Sequence, residues 1–435
     1  MLETLITVLL SCGVLIAVVL IKPNITIKGK QFSIYWLAPL IGAIVIICLG
    51  LLSPKEVLSG LTASGEVNPI KILVLFISMT IISVFLDNAG FFRYLAGRVL
   101  ARSKSGQRGL FNALYLMVSL LTVFTSNDII ILTFTPFICY FTLSADLDPI
   151  PYLIAEFIAA NTWSMALIIG NPTNIYLASS AGIDFFLYIS KMLLPTVLAG
   201  VVSFCLLRLI FRKQLAKPIA HTTSNARFED KGAVIIGLVH LIGCIVFLSI
   251  ASYLSLPMWK IALGFCISLI IVSSIYLLFS GNGFHLLRDT VKRAPFDIIP
   301  FVLAMFVLVL ALDKYGTTAS LSVFLDTGNN MNALTFGISS FLTANIINNI
   351  PMSVLFSSII GYLPDGGRAA ALYASIIGSN LGAFFTPLGA LAGIMWMDLL
   401  KHHHVKLTFL QFIKYGALIS LAALGAALIG LAIVL

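Results

Sequence analysis

The sequence predicts an all-α polytopic membrane protein built of two inverted-topology repeats. Each repeat has five transmembrane helices, one of them broken, and one re-entrant helical hairpin. Three observations carry this. Of 435 residues, 60% are hydrophobic and 10% charged, with a mean hydropathy of +1.07; soluble domains carry about 25% charged residues. Asparagine-rich clusters interrupt apolar stretches at matching places in both halves. They are Thr125-Ser126-Asn127-Asp128 with Gly170-Asn171-Pro172-Thr173-Asn174, and Asn345-Ile346-Ile347-Asn348-Asn349-Ile350-Pro351 with Gly378-Ser379-Asn380-Leu381-Gly382. The basic residues fall mainly on one side of the layout these clusters imply.

Runs of about 20 apolar residues cross the hydrocarbon core. Such runs place spans near 2–21, 34–52, 69–86, 150–180, 188–212, 231–250, 258–279, 296–312, 368–399 and 408–435. The first run lacks a basic leader and a small-residue cleavage site, so it reads as a permanent span. Spans 150–180 and 368–399 hold polar interruptions and read as broken helices. The stretches 109–143 and 333–363 bend at their asparagine clusters. Their arms, about 12–18 residues each, are short for full crossings and read as re-entrant hairpins. Residues 1–212 form the first repeat, 213–230 a cytoplasmic linker and 231–435 the second repeat.

The basic residues test this layout. Let the chain change sides at each span and return after each hairpin. Lys55, Lys71, Lys191, Lys260, Lys314 and Arg368 then share one side, and the other 20 of the 26 Lys and Arg share the opposite one. The richer side is cytoplasmic by the positive-inside rule, which puts both termini outside. The net charge of +9 therefore reads as membrane orientation rather than nucleic-acid binding. Five crossings per half, an odd number, require the halves to be inverted. Phe85–Gly90 aligns with Ala311–Gly316, Asn127-Asp128 with Asn348-Asn349, and Ile168–Gly170 with Ile376–Gly378, at offsets of 226, 221 and 208 residues. The basic amphipathic stretches Phe91–Arg102 and Phe284–Arg293 are expected along the cytoplasmic interface.

Broken helices survive in a bilayer only around a cavity or ligand, because nothing else satisfies their freed backbone groups. Matching breaks in two halves mark a secondary transporter's binding site. Freed N–H groups and Thr or Ser hydroxyls suit an oxyanion or neutral oxyacid. Freed carbonyls and Asn oxygens suit a small cation. The bland alternative is that Asn127, Asn348 and Asn349 only cap buried helix ends. Asp128, an ionisable group inside a membrane segment, is the sharpest residue and a candidate for proton or cation coupling; its bland reading is an N-cap. Glu156 is a second coupling candidate, with an interfacial side chain as the alternative. Asn161 and Thr162 are expected to line the cavity. Asp87 and Asp313 are expected to cap or solvate helix ends.

Other motifs are weaker. Asp398 with His402-His403-His404 reads as a solvated loop rather than a metal site. His240 reads as packed or hydrogen-bonded. The six cysteines lie in apolar stretches without Cys-x-x-Cys spacing and read as small buried hydrophobes. No Gly-x-x-x-x-Gly-Lys-Ser/Thr loop occurs, so any ATP hydrolysis needs a separate subunit. No zinc-protease or paired-aspartate prenyl-transferase motif points to an enzyme. Uninterrupted polar stripes, the mark of a passive channel, are missing.

The stretches Phe85–Phe92, Ser126-Asn127-Asp128 with Leu132 and Thr135-Pro136, Asn348–Pro351, and Gly378–Gly382 through Thr386-Pro387-Leu388-Gly389 carry a resemblance over nearly the full length. The chain resembles the ion transporter superfamily, and within it looks most like the arsenical pump membrane protein family. That resemblance implies arsenite and antimonite export across the inner membrane in exchange for protons, without a cofactor. It implies lipid contact, a possible cytoplasmic ATPase subunit and a possible homodimer. The substrate positions expected from the polar clusters are Asn127, Asn171, Thr173, Asn174, Asn348, Asn349, Ser379, Asn380 and Thr386. Arsenite permeases are expected to carry a carboxylate where this chain has Asn161, so coupling passes to Asp128 or Glu156 or changes character. Sodium-coupled dicarboxylate or sulfate symporters and sodium/proton antiporters of the same superfamily are the alternatives.

Overall fold

The computed structural model describes residues 2–21, 24–27, 30–62, 68–102, 106–218, 230–251, 256–280, 284–328 and 331–435. Most of the expected linker 213–230 lies outside them, as does the side chain of Asp398.

The described chain is helical apart from one small hairpin. Helix α1 (Leu2–Ile21) leads to an antiparallel pair, β1 (Asn24–Ile27) and β2 (Lys30–Ser33), where the sequence reading had only a loop. There follow α2 (Leu37–Cys48), α3 (Pro54–Thr62), α4 (Pro69–Asn88), α5 (Phe91–Arg102), α6 (Gly106–Phe124), α7 (Asn127–Ser144), α8 (Ile150–Trp163), α9 (Pro172–Ser180) and α10 (Phe185–Ile210). The second half comprises α11 (Lys231–Ser249), α12 (Met258–Ser280), α13 (His285–Arg293), α14 (Ile298–Lys314), α15 (Thr317–Leu325), α16 (Asn332–Ile347), α17 (Asn349–Gly361), α18 (Asp365–Gly382), α19 (Leu391–His402) and α20 (Phe409–Val434). Among the described residues, seven helices are long and apolar enough to cross a membrane.

Local chemistry sets the ends. The Asn68 side chain accepts from the N–H groups of Ile70 and Lys71 at 2.9 and 3.1 Å, with Pro69 opening α4. Asp184 does the same for α10 through Leu187 N, and Thr408 with Gln411 forms a reciprocal capping box at α20. Helices α4 and α14 both run into a glycine with positive φ, Gly90 at 84° and Gly316 at 74°.

The elements of the two halves recur in the same order, and so does their packing. Helix α1 packs on α2 as α11 does on α12; α2 meets α14 as α12 meets α4; α7 meets α19 as α17 meets α9. Helices α1, α2, α4, α11, α12 and α14 form one body, and α6–α10 with α16–α20 form another, joined along α4/α9 and α14/α17. Long α10 and α20, 26 residues each, pair tightly across the halves. Gly430 permits this, since a Cβ there would lie 3.0 Å from the Pro195 backbone.

The first hairpin's arms are 19 and 18 residues and the second's 16 and 13. Two expectations need correction. The cluster Gly378–Gly382 is not an interruption: it is the last turns of α18, and the break follows at 383–390. Its glycines serve packing. A Cβ on Gly378 would meet Ser340 Oγ at 2.0 Å and Gly337 O at 2.5 Å on α16, and one on Gly382 would meet Phe341 O at 2.9 Å. The 208-residue alignment is therefore displaced. Helices α8 and α18 end at Trp163 and Gly382, 219 residues apart, so Asn161 corresponds to Asn380. Second, Asp87 and Asp313 do more than cap. Asp87 pairs with Arg293 at 2.8 Å, and Asp313 accepts from Thr318 and Ser358, reaching the second hairpin.

Candidate functional site

The first break begins where α8 stops at Trp163. Two short 3-10 turns, 164–166 and 168–170, carry the chain to Asn171, which caps α9 by accepting from Thr173 N at 3.1 Å. Gly170 passes so close to Ser164 that a Cβ would lie 2.3 Å from its carbonyl oxygen. Backbone in this state needs partners, and the asparagines supply them. Asn174 Nδ2 donates to the carbonyls of Ser164 and Leu167 at 2.8 and 3.2 Å.

Asn380 reaches this segment from the other half. Its Oδ1 accepts from Ser164 Oγ at 2.9 Å and Asn171 Nδ2 at 2.8 Å; its Nδ2 donates to Asn174 Oδ1 at 2.7 Å and Ile376 O at 2.8 Å. Asn161 donates to Phe157 O and accepts from Asn127 Nδ2 at 3.1 Å, which brings in the first residue of α7. Every one of these asparagines is buried.

The second break is held in a related way. Asn345 Nδ2 donates to Gly382 O at 3.0 Å, and its Oδ1 accepts from the N–H and the hydroxyl of Thr386. Asn348 Nδ2 donates to Leu388 O, and Asn349 N–H to Gly389 O at 3.1 Å. Asn348 has φ 76° and ψ 154°, a backbone state close to glycine-only, and it caps α17. Gly389 in turn abuts Gly382, so the two networks are continuous through the end of α18.

Four helix N-termini, those of α7, α9, α17 and α19, thus open onto these networks and bring partial positive charge. Six buried polar oxygens here have no hydrogen-bond partner among the described residues: Ser126 Oγ, Asn127 Oδ1, Thr162 Oγ1, Thr173 Oγ1, Asn349 Oδ1 and Ser379 Oγ. Buried polar groups are normally paired, so unpaired ones invite a ligand. No Lys or Arg is buried among the described residues. Asp128 lies half-buried in the first turn of α7. Its carboxylate is not the N-cap, and no hydrogen bond or ion pair engages it among the described residues; Ser126 holds the cap position.

The structure therefore brings together Asn127, Asn161, Asn171, Thr173, Asn174, Asn348, Asn349, Ser379, Asn380 and Thr386. Thr162 sits beside Asn161. Glu156 stands apart, two turns before the break, bonded to Thr135 and Trp396. Its side chain is buried within the protein. Sequence reasoning missed Ser164 and the full role of Asn345; both stand three or four residues from an asparagine already singled out. His402, His403 and His404 are exposed, and His240 bonds to Ile236 O and Ser268.

Two crevices flank the joint between the bodies. One of about 540 Å³ is lined by Asp87, Asn88, Thr133, Asp289 and Arg293 at one end of α4. Another of about 360 Å³ is lined by Lys71, Leu75, Asp184 and Trp259 at the other end.

The citrate transporter family matches residues 16–378. The chain belongs to the citrate transporter family. Within reach of this citrate transporter family member is the arsenical pump membrane protein of Escherichia coli strain K12, 28% identical over 424 residues, covering 93% of this chain and 95% of that one. A putative arsenical pump membrane protein of Bacillus subtilis strain 168 is 25% identical over 372 residues, covering 78% and 82%. In fold, the crystal structure of the YdaH transporter of Alcanivorax borkumensis is similar at a TM-score of 0.53 and 14% identity, covering 99% of this chain and 97% of that one. This citrate transporter family member is an integral membrane transporter, not an enzyme.

Proposed function

We propose that the chain exports arsenite and antimonite across the plasma membrane, driven by inward proton flow. The observation that carries this is the donor set of the site. Six unpartnered oxygens, four from hydroxyls and two from amides, lie on the elements that form the two breaks, beside helix N-termini, and no Lys or Arg is buried among the described residues. A small neutral trihydroxy acid both donates and accepts through its hydroxyls, so such a cage suits it without a counter-charge. The arsenical pump names of the relatives agree.

Asp128 is the proposed proton site. It lies next to Asn127 and is part-exposed, so it can exchange protons with water while adjoining the substrate cage. Alternating access follows from movement of the body that carries both hairpins and both breaks, with the two crevices as its inner and outer mouths. Opposite orientation of the two halves, with both termini extracytoplasmic, is part of this reading. The matching element order of the two halves supports it.

A second reading is sodium-coupled anion symport, which the family's citrate description favours. Inverted vesicles discriminate. Arsenite uptake that needs a pH gradient and ignores sodium supports the first reading; sodium-dependent uptake of citrate, succinate or sulfate replaces it. Asp128→Asn is expected to abolish proton-driven accumulation while sparing downhill exchange. Unchanged concentrative transport removes Asp128 from the mechanism.

A further inference from the structure

Glu156 is a fully buried carboxyl group, and its surroundings differ from those of half-buried Asp128. It is 2% exposed, on α8. The Thr135 hydroxyl of α7 lies 3.0 Å from Oε1 and 3.1 Å from Oε2. The indole Nε1–H of Trp396, on α19, donates to Oε2 at 3.3 Å. The rings of Phe157, Trp396 and Phe412 pack against one another, with centroids 4.8 to 5.8 Å apart. Thr135 and Trp396 are both fully buried. No Lys, Arg or His forms an ion pair with Glu156 among the described residues.

Three elements meet at this carboxyl: the second arm of the first hairpin, the first part of the first broken helix, and the last part of the second broken helix. Helices α7 and α19 come from different halves and both begin at the substrate cage. Helix α7 also contains Pro136 directly after Thr135, which removes a backbone N–H and weakens the helix at that turn. A side-chain tie at Thr135 fixes the arm where its own hydrogen-bond ladder is interrupted. A transported proton needs a path to water from its site. Here both oxygens have side-chain donors, and the carboxyl is buried.

We propose that Glu156 is a positioning residue that fastens α7 to α19, so that the tips of both elements move as one body, and that it carries no transported proton. The assignment rests on the transport reading above. It predicts that the charge of Glu156 is dispensable and its two-sided hydrogen bonding is not. In Glu156→Gln the amide oxygen still accepts from Trp396 and the amide nitrogen donates to Thr135 Oγ1. Glu156→Ala leaves the indole N–H and the hydroxyl without partners.

The test is arsenite flux in proteoliposomes across a pH series. Glu156→Gln should keep proton-driven accumulation within about twofold of the parent and the same pH profile, while Glu156→Ala should slow accumulation and downhill exchange alike by about tenfold or more. Loss of accumulation in Glu156→Gln with exchange preserved, or a displaced pH profile, makes Glu156 a proton carrier and overturns the proposal. So does a Glu156→Ala variant with parental rates. If Glu156→Ala does not reach the membrane, Thr135→Val removes the α7 tie at constant volume and should slow both modes; parental rates there overturn the proposal equally. A readout independent of substrate separates this from failure of the arsenite reading. In a protein retaining only Trp396 of its four tryptophans, Glu156→Gln should leave the emission maximum unchanged and Glu156→Ala should move it to longer wavelength. An unmoved maximum in Glu156→Ala refutes the tie even if the parent carries no arsenite.

Discussion

Replacing Asn380 with Ala tests the central contact between the halves. Four hydrogen bonds disappear, but their loss is unequal. Ser164 Oγ keeps its bond to Asn161 O at 2.8 Å, and Ile376 O lies in the helix ladder of α18. Asn171 Nδ2 and Asn174 Oδ1 lose the partners recorded for them at 2.8 and 2.7 Å. Each stranded buried group costs about 1–3 kcal/mol, so the local penalty is about 2–6 kcal/mol. The unwound segment 164–171 bears it, because Asn171 and Asn174 hold that segment. Amide hydrogen exchange measured by mass spectrometry on peptides covering 161–178 reads it directly. At tenfold per 1.4 kcal/mol, exchange there should accelerate by about 30-fold to about 20,000-fold, while peptides of α11 and α12 stay at parental rates. Asn174→Ala should give a similar acceleration, and the double variant less than the sum. Parental exchange at 161–178 in Asn380→Ala, or strictly additive effects, would refute the claim that this residue holds the first break closed.

Other perturbations have clear signs. Asn348→Gly removes a backbone strain of about 1–3 kcal/mol but also the cap to Ile350, whereas Asn348→Ala keeps the strain and loses the side-chain bonds, so Gly should be the more stable in thermal unfolding; equal melting temperatures would deny the strain. Gly378→Ala forces a methyl against Ser340 Oγ and the Gly337 carbonyl and should lower stability by at least about 1–3 kcal/mol, seen as a lower melting temperature and reduced yield of folded protein. On the exposed α3, the Lys314 ammonium 2.7 Å away, helped by the Ser53 N–H, pulls the Glu56 carboxyl down from its ordinary 4.5 to about 2. A depressed folded-state value means that its contribution is complete above about 4.5 and fades as pH falls toward 2. Glu56→Gln should therefore flatten the pH dependence of stability within that window and leave it unaltered near neutrality.

Much of this was legible because bilayer physics constrains sequence tightly. The apolar runs and the asparagine clusters located nearly every long helix, the first break, and the basic surface helices α5 and α13. Glycine produced the main error. Gly378 and Gly382 look like breakers, yet their role is to let α16 approach α18, and only the facing residues Ser340 and Phe341 reveal that. The correspondence of Asn161 with Asn380 was hidden for the same reason, since the wrong break was used to align the halves. Ser164 and Thr135 were missed because a hydroxyl's partner, 216 or 21 residues away, leaves no local trace. Periodicity likewise says nothing about Trp396, whose importance comes from the carboxyl it faces.

The reach of Asn380 into the first break also has a consequence in time. Its partner Asn174 lies 206 residues earlier in the chain. At ribosomal speeds of about 5–20 residues per second, the first half waits roughly 10–40 s in the bilayer before that side chain is made. Through that interval Asn171 and Asn174 must find temporary company, in lipid headgroups, in the insertion machinery or in trapped water. A nascent chain arrested before residue 380 should therefore be a substrate for membrane quality control, and the two halves made as separate polypeptides should each be short-lived until they meet.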